Sequence, residues 1–184
     1  ETAHYDLLSI RRRSGGVFVR GRVAAKSIKT KTLFDVHAGD LLISKMQAVH
    51  GAIGLAGPEH DGMKVSGSYV VLRPRTRAPV RPSFFAYLTQ LPQMYRAVLL
   101  SSYGVHIEKM TFSLEWYLRT GIRLPVSVAE QDVIADALSA MDREIAQLER
   151  LRDLLIIQLR GLTDKLLSGD LQVSDATDVE AVSA

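Results

Sequence analysis

A heptad-spaced apolar series in the last third of the chain is the feature that most limits its fold. The series alternates steps of four and three residues and contains one arginine. Its members are Ile134, Leu138, Met141, Ile145, Leu148, Arg152, Leu155, Leu159, Leu162 and Leu166. A helix over residues 128–168 would be about 60 Å long at 1.5 Å per residue. An ordinary helix packed along its own domain is the alternative, but that length favours a coiled coil with a partner helix.

Sequence signals mark both the start and the end of this helix. Ser127 and Glu130 form a capping box, Ser-x-x-Glu, at the start. Lys165 in the last turn and Gly169 after it are typical of a helix C-terminus. We therefore predict a dimerisation and spacer helix over residues 127–169, followed by a flexible tail over residues 170–184.

Charge divides the chain at the same place. Residues 1–127 hold 18 basic and 8 acidic side chains, whereas residues 128–184 hold 5 basic and 12 acidic ones. The small overall charge of +3 therefore conceals a basic front and an acidic back. A basic body on a self-associating rod is typical of a DNA-binding protein, and a solvated basic surface is the alternative.

Short apolar runs bounded by glycine and proline fill the front half. The predicted strands are residues 17–19, 40–44, 52–57, 68–73 and, just before the rod, 122–125. Pro82 and Ser83 open a helix over residues 84–91, and the helical period resumes after Pro92. The pattern predicts an α+β fold, with a small β-rich domain over residues 1–126 and then the long coiled-coil helix.

Composition excludes several classes of protein. The chain has no cysteine, which excludes disulfides and thiolate metal sites and favours the cytoplasm. Its five histidines form no ligand-spacing motif, so we expect no metal site. No catalytic arrangement of residues stands out. No membrane span is predicted either, because the apolar runs are far shorter than the roughly 20 residues that cross a bilayer.

A set of short motifs gives a more specific interpretation. The motifs are Gly39-Asp40-Leu41-Leu42-Ile43-Ser44-Lys45, Val70-Val71-Leu72-Arg73-Pro74, Phe84-Phe85-Ala86-Tyr87-Leu88, Ser101-Ser102-Tyr103-Gly104, Ile122-Arg123-Leu124-Pro125, Glu130-Gln131, Leu138-Ser139-Ala140-Met141-Asp142 and Lys165-Leu166-Leu167-Ser168-Gly169-Asp170-Leu171. In this order they resemble the specificity subunit of type I restriction-modification systems, over about residues 33–173. The family's usual opening strand is expected to be shortened or missing. Only one of the family's two recognition halves is matched, and the sequence leaves open whether the chain is a natural half-subunit or a piece of a longer one.

The resemblance implies a target-recognition domain that reads half of a bipartite double-stranded DNA site, carried on the dimerising helix. It implies a non-catalytic subunit that positions DNA methyltransferase subunits, with or without a restriction motor subunit. S-adenosylmethionine, ATP and Mg²⁺ would then belong to those partners, and this chain would bind no cofactor. A stand-alone DNA-binding or coiled-coil interaction protein without an enzyme partner is the alternative.

Candidate DNA contacts are basic, amide and aromatic side chains of the front half, because cations neutralise phosphates and Arg, Lys and Gln read base edges. They are Arg11, Arg12, Arg13, Arg20, Arg22, Lys26, Lys29, Lys31, Lys45, Gln47, His50, Lys64, Tyr103, His106 and Lys109. The dimerisation residues are the ten positions of the heptad series. Arg152 within it is expected to meet an acidic side chain and set the register of an antiparallel pair.

Overall fold

The computed structural model describes residues 3–28 and 32–172. The chain divides after Ala137 into two units, which are described separately. The strands of the first unit are β1 (His4–Ile10), β2 (Val17–Ala24), β3 (Leu33–Asp35), β4 (Leu41–Ser44), β5 (Ile53–Leu55), β6 (Lys64–Ser66), β7 (Tyr69–Leu72), β8 (Ser102–Tyr103) and β9 (Thr111–Phe112). The helices of the chain are α1 (Pro82–Leu88), α2 (Pro92–Leu100), α3 (Leu114–Tyr117) and α4 (Val128–Ser168).

The first sheet has the strand order β2-β1-β6-β3. Strand β1 pairs antiparallel with β2, with a register shift between Leu7 and Leu8, and parallel with β6. An opening strand of seven residues is therefore present, and the expectation that it would be missing was wrong. The sequence signal was weak because β1 mixes His4, Asp6 and Ser9 with its apolar residues, and its partner β2 is largely exposed.

The second sheet has the order β5-β4-β7, with both pairs antiparallel. All four residues of β4 are buried, because alternate side chains enter two different cores. Leu41 and Ile43 join a cluster with helices α1 and α2, whereas Leu42 joins a cluster with β1 and β6. The continuous apolar run Leu-Leu-Ile thus marks a strand that is covered on both faces.

Proline positions determine where the helices begin. Pro82 and Pro92 each occupy the first helical turn, where a missing backbone N–H costs nothing. The two predicted helices are confirmed as α1 and α2. The strand predicted at residues 122–125 was wrong, since this stretch forms no ladder, and the carbonyl of Pro125 accepts a hydrogen bond from Gln131 instead.

The long helix α4 begins and ends as its caps predict. The backbone N–H of Glu130 donates to Ser127 Oγ at 3.3 Å, as the capping box requires. At the other end Gly169 has a φ of 82°, and the N–H of Leu171 donates to the Lys165 carbonyl at 2.9 Å. Gly161 does not interrupt the helix. The predicted domain boundary at residue 126 stays a prediction, because the two units divide inside the helix, after Ala137.

The second unit is helical from Leu138 to Ser168, and most of its side chains are exposed. No helix among the described residues is long and apolar enough to cross a membrane.

Candidate nucleic-acid interface

Three loops of the first unit meet beyond the carboxyl end of β4, and we call residues 11–16, 45–51 and 103–111 the three-loop face. The N–H of Arg13 donates to the His50 carbonyl at 2.7 Å, and the N–H of Ser14 donates to the Gly51 carbonyl at 2.9 Å. The N–H of Phe112, which follows the third loop, donates to the Lys45 carbonyl at 2.8 Å. Backbone hydrogen bonds therefore join three segments that are far apart in sequence.

A carboxylate bridges two of the predicted DNA-binding residues on this face. Arg12 Nη2 donates to Glu108 Oε2 at 3.0 Å. His50 Nε2 lies 3.2 Å from Glu108 Oε1 and makes no hydrogen bond within the described residues. The imidazole thus lies beside the carboxylate without a hydrogen bond to it. Sequence reasoning missed Glu108, because a carboxylate is not expected among groups that bind a polyanion.

The turn between β1 and β2 presents three arginines in different ways. Arg11 stacks over the Phe18 ring, with its guanidinium carbon 4.4 Å from the ring centroid. Arg13 has a φ of 55°, in the left-handed region, and its side chain is exposed. Within the described part of the chain, no hydrogen bond or ion pair engages the Arg13 guanidinium. This charge is therefore available to a ligand, whereas Arg12 is held by Glu108.

Gly51 allows the three-loop face to close. It has a φ of 73°, and the ring of Tyr95 on α2 occupies the space that a Cβ at this position would need. The hydroxyl of Tyr95 lies 3.3 Å from Ser14 Oγ. The glycine thus lets the first two loops pack against α2.

The connection between β8 and β9 exposes apolar groups among polar ones. Val105 is 94% exposed at this loop, and Tyr103 is 55% exposed and packs edge-on against Trp116 with ring centroids 6.0 Å apart. His106 and Lys109 are exposed in the same connection. Apolar side chains beside cations suit nucleic acid, where thymine methyls and sugars alternate with phosphates. Trp116 is a second contributor that sequence reasoning missed.

Other candidates in this region are partly engaged by the protein itself. Lys45 Nζ donates to the Gly67 carbonyl at 2.9 Å. The side-chain oxygen of Gln47 is buried without a hydrogen-bond partner in the described residues. Lys64 lies on β6, pairs with Asp35, and sits 5.0 Å from the centroid of the Tyr5 ring. The structure does not bring Lys64 into the three-loop face.

The remaining basic candidates lie on and after β2. Arg20 and Arg22 are exposed on this edge strand, and Lys26 is exposed in the short helical turn that follows. Arg20 and Tyr69 also line an open pocket of about 340 Å³. Lys29 and Lys31 lie outside the described residues.

Two of the motifs that carried the resemblance bind each other. Asp40 is 1% exposed and accepts hydrogen bonds from Arg73 Nε at 2.8 Å and Nη2 at 2.7 Å, and from the His37 N–H at 2.8 Å. Burial alone would raise the pKa of Asp40, but the hydrogen bonds from Arg73 and His37 outweigh it and hold the pKa below its usual value. Arg73 is thus a structural partner of Asp40, at the end of β4 opposite to the three-loop face.

The Glu-Gln motif also makes hydrogen bonds inside the protein. Gln131 is fully buried, and its Oε1 accepts a hydrogen bond from the Arg81 N–H at 2.9 Å. Its Nε2 donates to the carbonyls of Pro79 and Pro125, each at 3.0 Å. Arg81 also pairs with Asp132 at 2.9 Å. The first turns of α4 are therefore bonded to residues 79–81, which lie just before or at the start of α1.

Two histidines outside the three-loop face, His37 and His60, make contacts within the protein. His60 is buried, and its Nδ1 accepts a hydrogen bond from the Gly57 N–H at 3.0 Å. His37 Nδ1 lies 3.2 Å from Asp61 Oδ1. Within residues 3–28 and 32–172, no group of three or more potential ligands could hold a metal ion.

The predicted dimerisation residues lie along α4. Ile134 packs against the core of the first unit, whereas the seam positions of the second unit from Leu138 to Leu162 are exposed. Arg152 donates to the neighbouring Asp153 at 2.8 and 3.0 Å. A second apolar set lies off the seam and is also exposed: Leu151, Leu154, Ile156 and Ile157. One partner helix along the seam would leave part of this second set exposed.

No protein-family model and no curated protein matches this sequence. Solved structures do match its fold. The HsdS subunit from Thermoanaerobacter tengcongensis aligns with 95% of this chain at a TM-score of 0.65 and 17% sequence identity. A structure described as the basis of complex assembly and conformational transition of the type I R-M system aligns with 95% of the chain at a TM-score of 0.64 and 17% identity.

The chain therefore has the HsdS fold, that of specificity subunits of type I restriction-modification systems. The predicted α+β fold class, a β-rich region followed by a long C-terminal helix, is confirmed. The alignment covers 45% of each matched structure, so this chain spans less than half of their length.

Proposed function

We propose that this chain is a sequence-specific DNA-binding specificity subunit of a type I restriction-modification system and reads one half of a bipartite site. The observation that carries the proposal is the HsdS fold, which extends over 95% of the chain. The three-loop face is the part of the first unit that would contact DNA. It combines exposed cations, a carboxylate and exposed apolar groups on three segments that backbone hydrogen bonds join.

The charge distribution supports DNA as the ligand. The basic excess lies in the part of the chain that forms the first unit, and Arg13, His106 and Lys109 are exposed on one face of it. Phosphate contacts by such cations release counterions and provide the non-specific part of the affinity. Edges of bases would then be read by side chains on the same loops.

Methyltransferase subunits are the proposed enzymatic partners, with or without a restriction motor subunit. In this proposal the chain is non-catalytic, and the partner subunits bind S-adenosylmethionine, ATP and Mg²⁺. The off-seam residues Leu151, Leu154, Ile156 and Ile157 support a helical partner on the rod, because pairing through the seam alone would leave part of this set in water.

The rod is proposed to pair with a second copy of itself. Burying one Leu or Ile stabilises by about 1.5–3 kcal/mol, so an exposed seam of this length strongly favours association. Two identical recognition domains related by a two-fold axis would face inverted half-sites. The preferred DNA should therefore be a palindrome interrupted by an unread spacer.

Selection from random duplexes tests the DNA proposal. We expect enrichment of an interrupted palindrome, in the presence of a methyltransferase partner if the chain alone binds weakly. Arg13→Ala should lower affinity for all duplexes and reduce the salt dependence, whereas Arg143→Ala on the rod should not. A continuous motif without a repeat would contradict the symmetric arrangement, and no enrichment under either condition would contradict sequence reading.

Light scattering tests the rod. Leu148→Asp with Leu155→Asp should convert dimers to monomers, because charges enter the seam. Leu167→Asp is the control, since Leu167 is 83% exposed and lies off the seam. A wild-type protein that is monomeric at micromolar concentration would refute the homodimer and would leave a rod formed with a different chain.

A further inference from the structure

Glu108 is the one acidic residue of the three-loop face, whose other charged side chains are cations that would attract a polyanion. Its carboxylate is 3.0 Å from Arg12 and 3.2 Å from His50, on two other loops of the three-loop face. A carboxylate beside a phosphate path costs binding energy, since like charges repel. Its position is therefore informative about what Arg12 does.

We propose that Glu108 is a positioning residue for DNA reading: it holds the Arg12 guanidinium for a base edge and weakens binding to DNA of any sequence. The inference rests on the proposed function and adds a division of roles among the arginines. An arginine has five N–H donors in a planar fork, and the bond to Glu108 uses Nη2. The remaining donors can still reach the N7 and O6 acceptors of a guanine.

Electrostatics separates Arg12 from its neighbour Arg13. The Arg12–Glu108 pair has no net charge, so it gains little from a phosphate but can still donate hydrogen bonds to neutral base acceptors. Arg13 is exposed without such a carboxylate in the described residues and suits a phosphate. Holding Arg12 in place also reduces the side-chain ordering that binding would otherwise require.

The test compares Glu108→Gln with wild type on two duplexes, the selected one and a scrambled one of equal length. We expect affinity for the scrambled duplex to rise about threefold, since one repulsive charge is lost. The ratio of the two affinities should fall about tenfold, as expected when one base contact loses its geometry. The salt dependence on the scrambled duplex should become steeper.

Glu59→Gln is the matched control. Glu59 is also exposed and also contacts a histidine, His60, at 3.3 Å, but it follows β5 at the end of the sheet opposite to the three-loop face. Glu59→Gln should change the affinity for each of the two duplexes by less than twofold relative to wild type. Urea unfolding of each variant separates a loss of fold from a loss of reading, because the Arg12–Glu108 pair is exposed and should contribute little to stability.

A double-mutant cycle with Arg12→Ala tests whether Glu108 acts through Arg12. In the Arg12→Ala background, Glu108→Gln should change the ratio by less than twofold. A full effect in that background would overturn the positioning role, and an unchanged ratio in Glu108→Gln alone would overturn it as well. A wild-type ratio near one would instead refute the proposed function, so the two failures can be told apart.

Discussion

Gln131 should stabilise the first unit far more than a glutamine at a helix surface. It is fully buried and makes three hydrogen bonds, which join α4 to the backbone of Pro79, Arg81 and Pro125. Gln131→Ala leaves one N–H and two carbonyls without these partners. At about 1 kcal/mol for each bond, and more where water cannot replace it, we expect a loss of about 2–4 kcal/mol in the free energy of unfolding.

Urea unfolding followed by tryptophan fluorescence measures this loss. Trp116 is the single tryptophan of the chain and lies in the first unit, so its emission reports on that unit. With a slope of about 2 kcal/mol per molar urea, the midpoint should fall by about 1–2 M. Gln93→Ala, an exposed glutamine in α2, is the control and should shift the midpoint by less than about 0.3 M. A shift that small for Gln131→Ala would refute the reasoning.

Gln131→Glu separates hydrogen bonding from packing. The volume is kept, but a carboxylate would face the two proline carbonyls and lose both donor bonds. Burial and these carbonyls should raise the pKa of the new carboxyl in the folded state. The folded protein then binds the proton more tightly than the unfolded chain, so stability falls as pH rises above about 4.3, the usual glutamate value. A destabilisation that is equal at pH 5 and pH 8 would contradict this account.

Two further predictions concern the ends of β4. Arg73→Ala should destabilise the protein at pH 7, because it leaves the buried carboxylate of Asp40 without its guanidinium partner. The pKa of Asp40 is lowered in the folded protein, so this stabilisation is present above about pH 3.8 and is lost as pH falls through the folded pKa. The free energies of unfolding of wild type and variant should therefore converge in acid, which urea midpoints measured at each pH will show. In the same assay, Gly51→Ala should lower the free energy of unfolding by more than Gly62→Ala. Both glycines have positive φ, but the Tyr95 ring blocks a Cβ only at Gly51. Equal losses of stability in the two variants would contradict this steric argument.

Local patterns in the sequence were sufficient for several elements. The positions of Pro82 and Pro92 predicted where two helices begin, and the Ser127 capping box and Gly169 predicted the ends of α4. These signals are reliable because each depends on the backbone of a few neighbouring residues. The strand β1 was missed because its mixed composition gives no clear alternation, and it is stabilised by partners on both sides.

The candidate site was accessible to sequence reasoning only as a list of charges. Charge asymmetry by itself indicated DNA, and a heptad spacing by itself indicated a rod, since both are properties of the chain read in order. The tertiary structure decided which charges are free: Arg73 is bound to Asp40, 33 residues away, and Arg12 to Glu108, 96 residues away. Such pairs depend on how the strands and loops pack, and no local pattern encodes that distance. The sequence therefore predicted the kind of ligand, and only the packing of the three loops decided which of the predicted side chains lie together and exposed.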